Sequence, residues 1–193
     1  MERELVWAGI GGQGVQLASK VLAHAANDEG KHAMHFAVFK GSMRGGSCEC
    51  TVVSGTRELN VPPIVQRTWS AIAMHPAQFA DLQQRVKANG LFVVNDSVVS
   101  EPVTREDITA YRIPLSGIAE EMDFLLGVSM VALGAYLELT QFASRDAVVH
   151  ALQELIPAYR QKHIDSNLKA IDKGMAYVKE HPARERALAL AWR

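Results

Sequence analysis

Gly9-Ile10-Gly11-Gly12-Gln13-Gly14 follows directly on the apolar run Leu5-Val6-Trp7-Ala8 and leads straight into residues 13–28. In that next segment Gly14, Ala18, Val21, Leu22, Ala25 and Ala26 recur at helical spacing. A strand that enters a glycine-rich turn and then a helix lets a ligand approach the main chain and presents free amides at the helix start. The stretch therefore predicts an anion site built from backbone, with Gly11, Gly12, Gln13 and Gly14 as its donors. A second glycine turn, Arg44-Gly45-Gly46, follows the next apolar run. Arg44 carries a planar fork suited to phosphate or carboxylate, and Ser42 is a candidate hydroxyl donor beside it. With Gly45 and Gly46 they complete the candidate site.

Strands are expected at 4–10, 32–39, 47–54, 69–74, 91–94 and 111–115, and helices at 13–28 and about 77–88. Gly30 ends the first helix, Pro62-Pro63 breaks the chain, and Pro76 opens the second helix. Beyond Gly117 the pattern is helical. Residues 124–139 are too apolar for an exposed helix, so they pack within the domain or against a partner. Ser144 caps the next helix, Pro157 interrupts it, and a charged helix runs over 158–180. The pattern implies an α/β fold: a three-layer, Rossmann-like domain over residues 1–180 with a mainly parallel sheet and a helical C-terminal part. Residues 181–193 form a basic and apolar tail. Ligands of such sheets sit beyond the carboxyl ends of the strands. That edge collects Gly9–Gly14, Phe39–Gly46, His75, and Asn95 with Asp96, and makes the two glycine turns neighbours.

A net charge of −1 over 193 residues argues against a general nucleic-acid surface. No apolar run approaches the ~20 residues of a membrane span, and the start, Met1-Glu2-Arg3-Glu4, has no secretory pattern, so a cytoplasmic protein is expected. Cys48 and Cys50 are the only cysteines. They share one strand face roughly 6.5–7 Å apart, poor geometry for a mutual disulfide, and cannot supply the four thiolates of an iron–sulfur cluster. His32 and His35 fall on opposite strand faces, and no Asp, Glu, His and Cys spacing fits a metal. Ser42 has no His or Asp partner at a recognisable spacing, so no catalytic nucleophile is assigned. Gly9, Gly11 and Gly14 satisfy G-x-G-x-x-G, but the second strand ends in Val38-Phe39-Lys40, without the acid that holds an NAD ribose. A free-standing NADP enzyme and a purely structural subunit stay open as alternatives.

Gly9-Ile10-Gly11-Gly12-Gln13-Gly14-Val15, with the small-residue helix behind it, resembles the opening of the gamma subunit of 2-oxoacid:ferredoxin oxidoreductases, the pyruvate and ketoisovalerate enzymes included. Met43-Arg44-Gly45-Gly46 before a strand with Cys48, Pro62-Pro63, Leu133-Gly134-Ala135, and Asn167 through Ala170 to Gly174 extend the resemblance over residues 4–175. It implies a subunit inactive alone that contributes coenzyme A binding and complex assembly. It also implies alpha and beta partner subunits holding thiamine diphosphate, an iron–sulfur subunit, and ferredoxin or another acceptor. Three features depart from the family pattern. Lys40-Gly41-Ser42 replaces a Gly-Pro-Glu, Ser129 replaces an asparagine, and no aspartate stands near Thr68-Trp69. These departures point to altered substrate-side or partner contacts.

Overall fold

The structure, a computed structural model, describes residues 2–40, 45–59, 63–157, 161 and 163–182. Strand β1 (Glu2–Ile10) passes through the glycine turn into α1 (Val15–Asp28), then β2 (His32–Lys40) and β3 (Ser47–Gly55). Next come β4 (Thr68–Ala73), α2 (Pro76–Arg85), β5 (Val86–Asn95) and β6 (Thr109–Ile113). The helical part comprises α3 (Leu115–Glu121), a 3₁₀ turn at Leu125–Gly127, α4 (Val128–Thr140), α5 (Arg145–Leu155) and α6 (Ile164–Glu180). No helix among the described residues is long and apolar enough to cross a membrane.

The sheet order is β2-β3-β1-β4-β5-β6. β1 pairs parallel with β4, β4 with β5 and β5 with β6, whereas β3 runs antiparallel to both β1 and β2. The expected mainly parallel α/β sheet is thus present, with one inverted strand. Alternation along β1 divides the core. Leu5 and Trp7 pack toward α1 and the C-terminal helices, while Val6 and Ala8 pack toward Phe79 and Leu82 of α2. The apolar 124–139 segment resolves into two parts. All of α4 except Glu138 is buried, so its side chains fill the core of this chain, whereas Leu125 and Leu126 ahead of it are exposed. α4 crosses α6 at Gly134 and Gly174, where a Cβ would lie 1.9 Å from the Ile171 carbonyl oxygen and 2.0 Å from that of Val131.

One expectation is corrected. The helix expected over 77–88 ends at Arg85, and β5 begins at Val86 rather than at 91. A register shift against β4 between Thr68 and Ser70 absorbs Lys87 to Gly90, and Asn89 takes a left-handed φ of 61° there. A buried valine at the junction and tight packing of Gly90 against Trp69 favour strand over further helix. Among the described residues the last helix runs over Ile164–Glu180; residues 158–160 and 162, where its expected start falls, and the tail from 183 lie outside them.

Candidate functional site

The two glycine turns meet. β3 lies against β1 with Ile10 opposite Ser47, and the Gly11 amide donates to the Gly46 carbonyl at 2.8 Å. A Cβ on Gly11 would sit 3.2 Å from the Gly45 nitrogen, so a side chain there would push the turns apart. Gln13 braces the first turn from inside. Its Oε1 accepts from the Ile10 amide at 2.9 Å, its Nε2 donates to the Met74 carbonyl at 3.2 Å, and its own amide donates to the Ile10 carbonyl at 3.2 Å. Gln13 and the Gly11 amide are therefore committed to the turn itself. The amides of Gly12 and Gly14, with those of the first turn of α1, make no backbone hydrogen bond to other described residues. Gly14 precedes α1 in a left-handed conformation at φ 78°, and no side chain caps that helix. Ser42 and Arg44 lie outside the described residues.

Gly12 and Gly14 open onto a cleft of about 510 Å³, lined also by Leu17, Phe124, Leu126, Ile156, Pro157, His163 and Asn167. Gly45 and Gly46 do not line it; they brace the turn from the other side. None of the C-terminal lining residues is reachable by local spacing from the glycine stretch, so sequence patterning does not single them out as one site. Ser129 stands out in sequence only as a departure from the family pattern. Here it lies directly behind Gly14: a Cβ on Gly14 would be 2.6 Å from its Oγ.

Other residues at the sheet edge serve structure. His75 caps α2, its Nδ1 accepting from the Ala77 amide at 3.2 Å. Gln78 Nε2 donates to Ser47 Oγ at 3.2 Å, tying α2 to the start of β3. Asn95, buried, donates to Ser116 Oγ at 3.0 Å and accepts from the Ser116 amide, pinning β5 to α3. Asp96 pairs with Arg112 at 2.5 Å. Cys48 and Cys50 are both free and buried, with their sulfurs 3.9 Å apart. Burial pushes the Cys50 thiol up to about 12 and raises that of Cys48. Half-buried His35 meets Ser19 Oγ at 3.0 Å; burial, then the nearby Lys20 and His24, hold its pKa below the ordinary value. Among the described residues the one cluster with metal-ligand proximity is Asp28, His150 and Glu154, and all three are exposed.

The family model for pyruvate ferredoxin/flavodoxin oxidoreductase matches residues 4–177. The 2-oxoglutarate synthase subunit KorC of Methanocaldococcus jannaschii is 27% identical over 183 residues, covering 93% of this chain and 96% of that subunit. A solved 2-oxoglutarate:ferredoxin oxidoreductase from Magnetococcus marinus, with 2-oxoglutarate, coenzyme A and succinyl-CoA bound, aligns over 93% of this chain and 31% of that chain. Its identity is 26% and its TM-score 0.83. The gamma subunit of a keto/oxoacid ferredoxin oxidoreductase from Geobacter sulfurreducens shares the fold at a TM-score of 0.77 and 22% identity, over 98% of both chains. With a matching family model over most of its length, this chain belongs to the pyruvate ferredoxin/flavodoxin oxidoreductase family.

Proposed function

We propose that this chain is the gamma subunit of a CoA-acylating 2-oxoacid oxidoreductase, in which it holds coenzyme A and contributes to assembly. Thiamine diphosphate and the iron–sulfur clusters belong, in this reading, to alpha, beta and iron–sulfur partner subunits. Those partners carry out decarboxylation of the 2-oxoacid and electron transfer to ferredoxin or another acceptor. The gamma chain supplies proximity by presenting coenzyme A to the acyl group formed elsewhere.

The observation that carries the reading is the Gly11–Gly46 hydrogen bond at 2.8 Å, which joins both glycine turns at the carboxyl edge of the sheet. It leaves the Gly12 and Gly14 amides facing a cleft with apolar walls. Amides suit the phosphates of coenzyme A, and apolar walls suit its pantetheine arm. Cys48 and Cys50, buried and with raised pKa values, are poor thiolate ligands, in keeping with clusters held by another chain. The NADP alternative is weakened by topology. In a dinucleotide fold the second strand adjoins the first and its end reaches the ribose. Here antiparallel β3 separates β2 from β1.

Titrating the assembled complex with coenzyme A tests this. Arg44→Ala is expected to weaken binding about tenfold, the effect of losing one charge-assisted hydrogen bond. Gly12→Val is expected to weaken it as well. Gly12 sits at φ 104°, where a side chain is strained, with no described residue within 4 Å of where a Cβ would lie, so the new side chain both strains the turn and enters the ligand's space. Unchanged affinity in both variants would instead favour a purely structural subunit.

A further inference from the structure

We infer that the open edge of β2 pairs with the same edge of a second copy of this chain, antiparallel about Ala37, joining two six-stranded sheets into one. The inference goes beyond the coenzyme A reading and uses no residue of the cleft. β2 is an outer strand of the sheet. Two contacts give the direction of its main-chain groups. The Ala33 amide donates to Asn27 Oδ1 at 2.7 Å, and Asn27 Nδ2 donates to the Ala33 carbonyl at 3.3 Å. Ala33 therefore turns its N–H and C=O away from β3. Alternate residues of a strand point these groups to the same side, so His35, Ala37 and Phe39 do the same. Asn27 closes the edge at Ala33 by standing in for a neighbouring strand. Among the described residues nothing does so for the amides and carbonyls of His35, Ala37 and Phe39. Side chains on both faces of this stretch are uncovered as well: Phe36 is 40% exposed, Val38 38% and Phe39 57%. Natural sheets blunt such an edge with charge or proline, and Ala33 to Phe39 carry no Lys, Arg, Asp, Glu or Pro.

The stretch is complementary to itself, and that selects a second copy over an unrelated strand. With Ala37 opposite Ala37, His35 faces Phe39 of the second copy and Phe39 faces its His35. Each of these pairs exchanges both of its hydrogen bonds, so every open group is used and none that Asn27 holds. A shift of two residues toward the start of the strand would set Phe39 against Ala33, whose groups Asn27 occupies, which fixes the register from that side. On the face toward α2, Phe36 then lies opposite Val38 of the second copy and Val38 opposite its Phe36. An aromatic against a β-branched side chain is a favourable cross-strand pair. On the face toward α1, alanine meets alanine at the twofold axis. No charge meets its like across the strands: Lys20 and His24 of α1 lie beside His35, away from the axis. Phe36, Val38 and Phe39 offer roughly 250 Å² of apolar surface per copy. Two such edges fall short of the ~1,200 Å² of a permanent interface, so the dimer is reversible and concentration-dependent.

Sedimentation velocity of the full chain over a concentration series tests the pairing. A reversible dimer is expected. Val38→Lys should weaken it at least about tenfold by placing a charge in an apolar pair, with little change in the unfolding midpoint because Val38 is exposed. Disulfide trapping reads the register. In this pairing residue 36 of one copy faces residue 38 of the other with Cα atoms about 4.5 Å apart, within disulfide range. A mixture of Phe36→Cys and Val38→Cys chains should therefore give a cross-linked dimer under mild oxidation, whereas neither variant alone has a cysteine opposite its own and neither should cross-link. A wild-type chain that stays monomeric at every concentration reached overturns the proposal, as does either variant cross-linking alone as fast as the mixture. Hydrogen exchange supplies a third reversal: amides of His35, Ala37 and Phe39 that are slow only in the assembled complex would give this edge to a strand of another subunit. None of these results bears on coenzyme A binding.

Discussion

At Gly14 two demands meet in one residue. The chain must take a left-handed turn to enter α1, and its Cα must pass close to Ser129. Alanine tolerates neither. A left-handed alanine costs about 1 kcal/mol, and a Cβ 2.6 Å from Ser129 Oγ adds a collision. Gly14→Ala is expected to lower stability by about 2 kcal/mol in equilibrium denaturant unfolding. In a Ser129→Ala background the nearest atom becomes a Cβ at ordinary contact distance, so about half of that loss should return. Equal losses in the two backgrounds would show that Ser129 does not crowd the turn. Cys48 and Cys50 make a second test at this scale. Both are buried, and burial raises both pKa values. A thiol reagent at neutral pH should leave them unmodified in the native chain and label both once it is unfolded; rapid native labelling would contradict the packing of β3 beneath α1.

Between elements, the crossing of α4 and α6 depends on missing side chains. Gly134→Ala would place a methyl 1.9 Å from the Ile171 carbonyl oxygen, a backbone atom that moves only if the whole helix does. The expected loss is about 3 kcal/mol or more, read as a lowered thermal midpoint by circular dichroism. A change below about 0.5 kcal/mol would mean the helices are not in contact as described. The end of α1 is joined to the middle of α5 by His150 Nδ1 and Asp28 Oδ2 at 3.0 Å. The hydrogen bond to Asp28, then the charge of Glu154, raises the His150 pKa. A raised folded-state pKa stabilises the protonated form. Its contribution is complete below the ordinary histidine value of about 6.5 and fades as pH climbs through the raised one. The difference in unfolding midpoint between wild type and His150→Gln should therefore be largest at about pH 5.5 and shrink toward pH 8. A pH-independent difference would show that no ionic tie joins the helices. The contribution is small, because the pair is in water.

For the molecule as a whole, the strand order, with β3 between β2 and β1, weighs against a dinucleotide enzyme and for the subunit proposed above. The purified chain is expected to catalyse no NADP-dependent hydride transfer, and 2-oxoacid turnover should appear only with its partner subunits. Hydride transfer by the chain alone would reverse that choice. Much of this architecture is legible in the residues. The Leu5–Gly14 stretch announces strand, turn and helix, and Ser144 announces the α5 cap that the Ala147 amide completes at 3.1 Å. Less legible is β5: Val86 to Gly90 is held in the strand by an irregular pairing with β4, a nonlocal contact that no window of neighbouring residues contains.

By itself the sequence determined the local chemistry: a backbone rich in free amides at the first turn, an arginine beside the second, two thiols too few for a cluster, and an α/β alternation with a helical end. Such properties follow from neighbours a few residues apart. Only the tertiary structure decided that Gly11 and Gln13 spend their polar groups on the turn while Gly12 and Gly14 face outward. It also decided that Ser129 stands directly behind Gly14 and that Asn167 lines the cleft, both more than a hundred residues away. Those facts depend on how a buried helix pair crosses and which strand lies beside β1, and packing sets both across the full length of the chain.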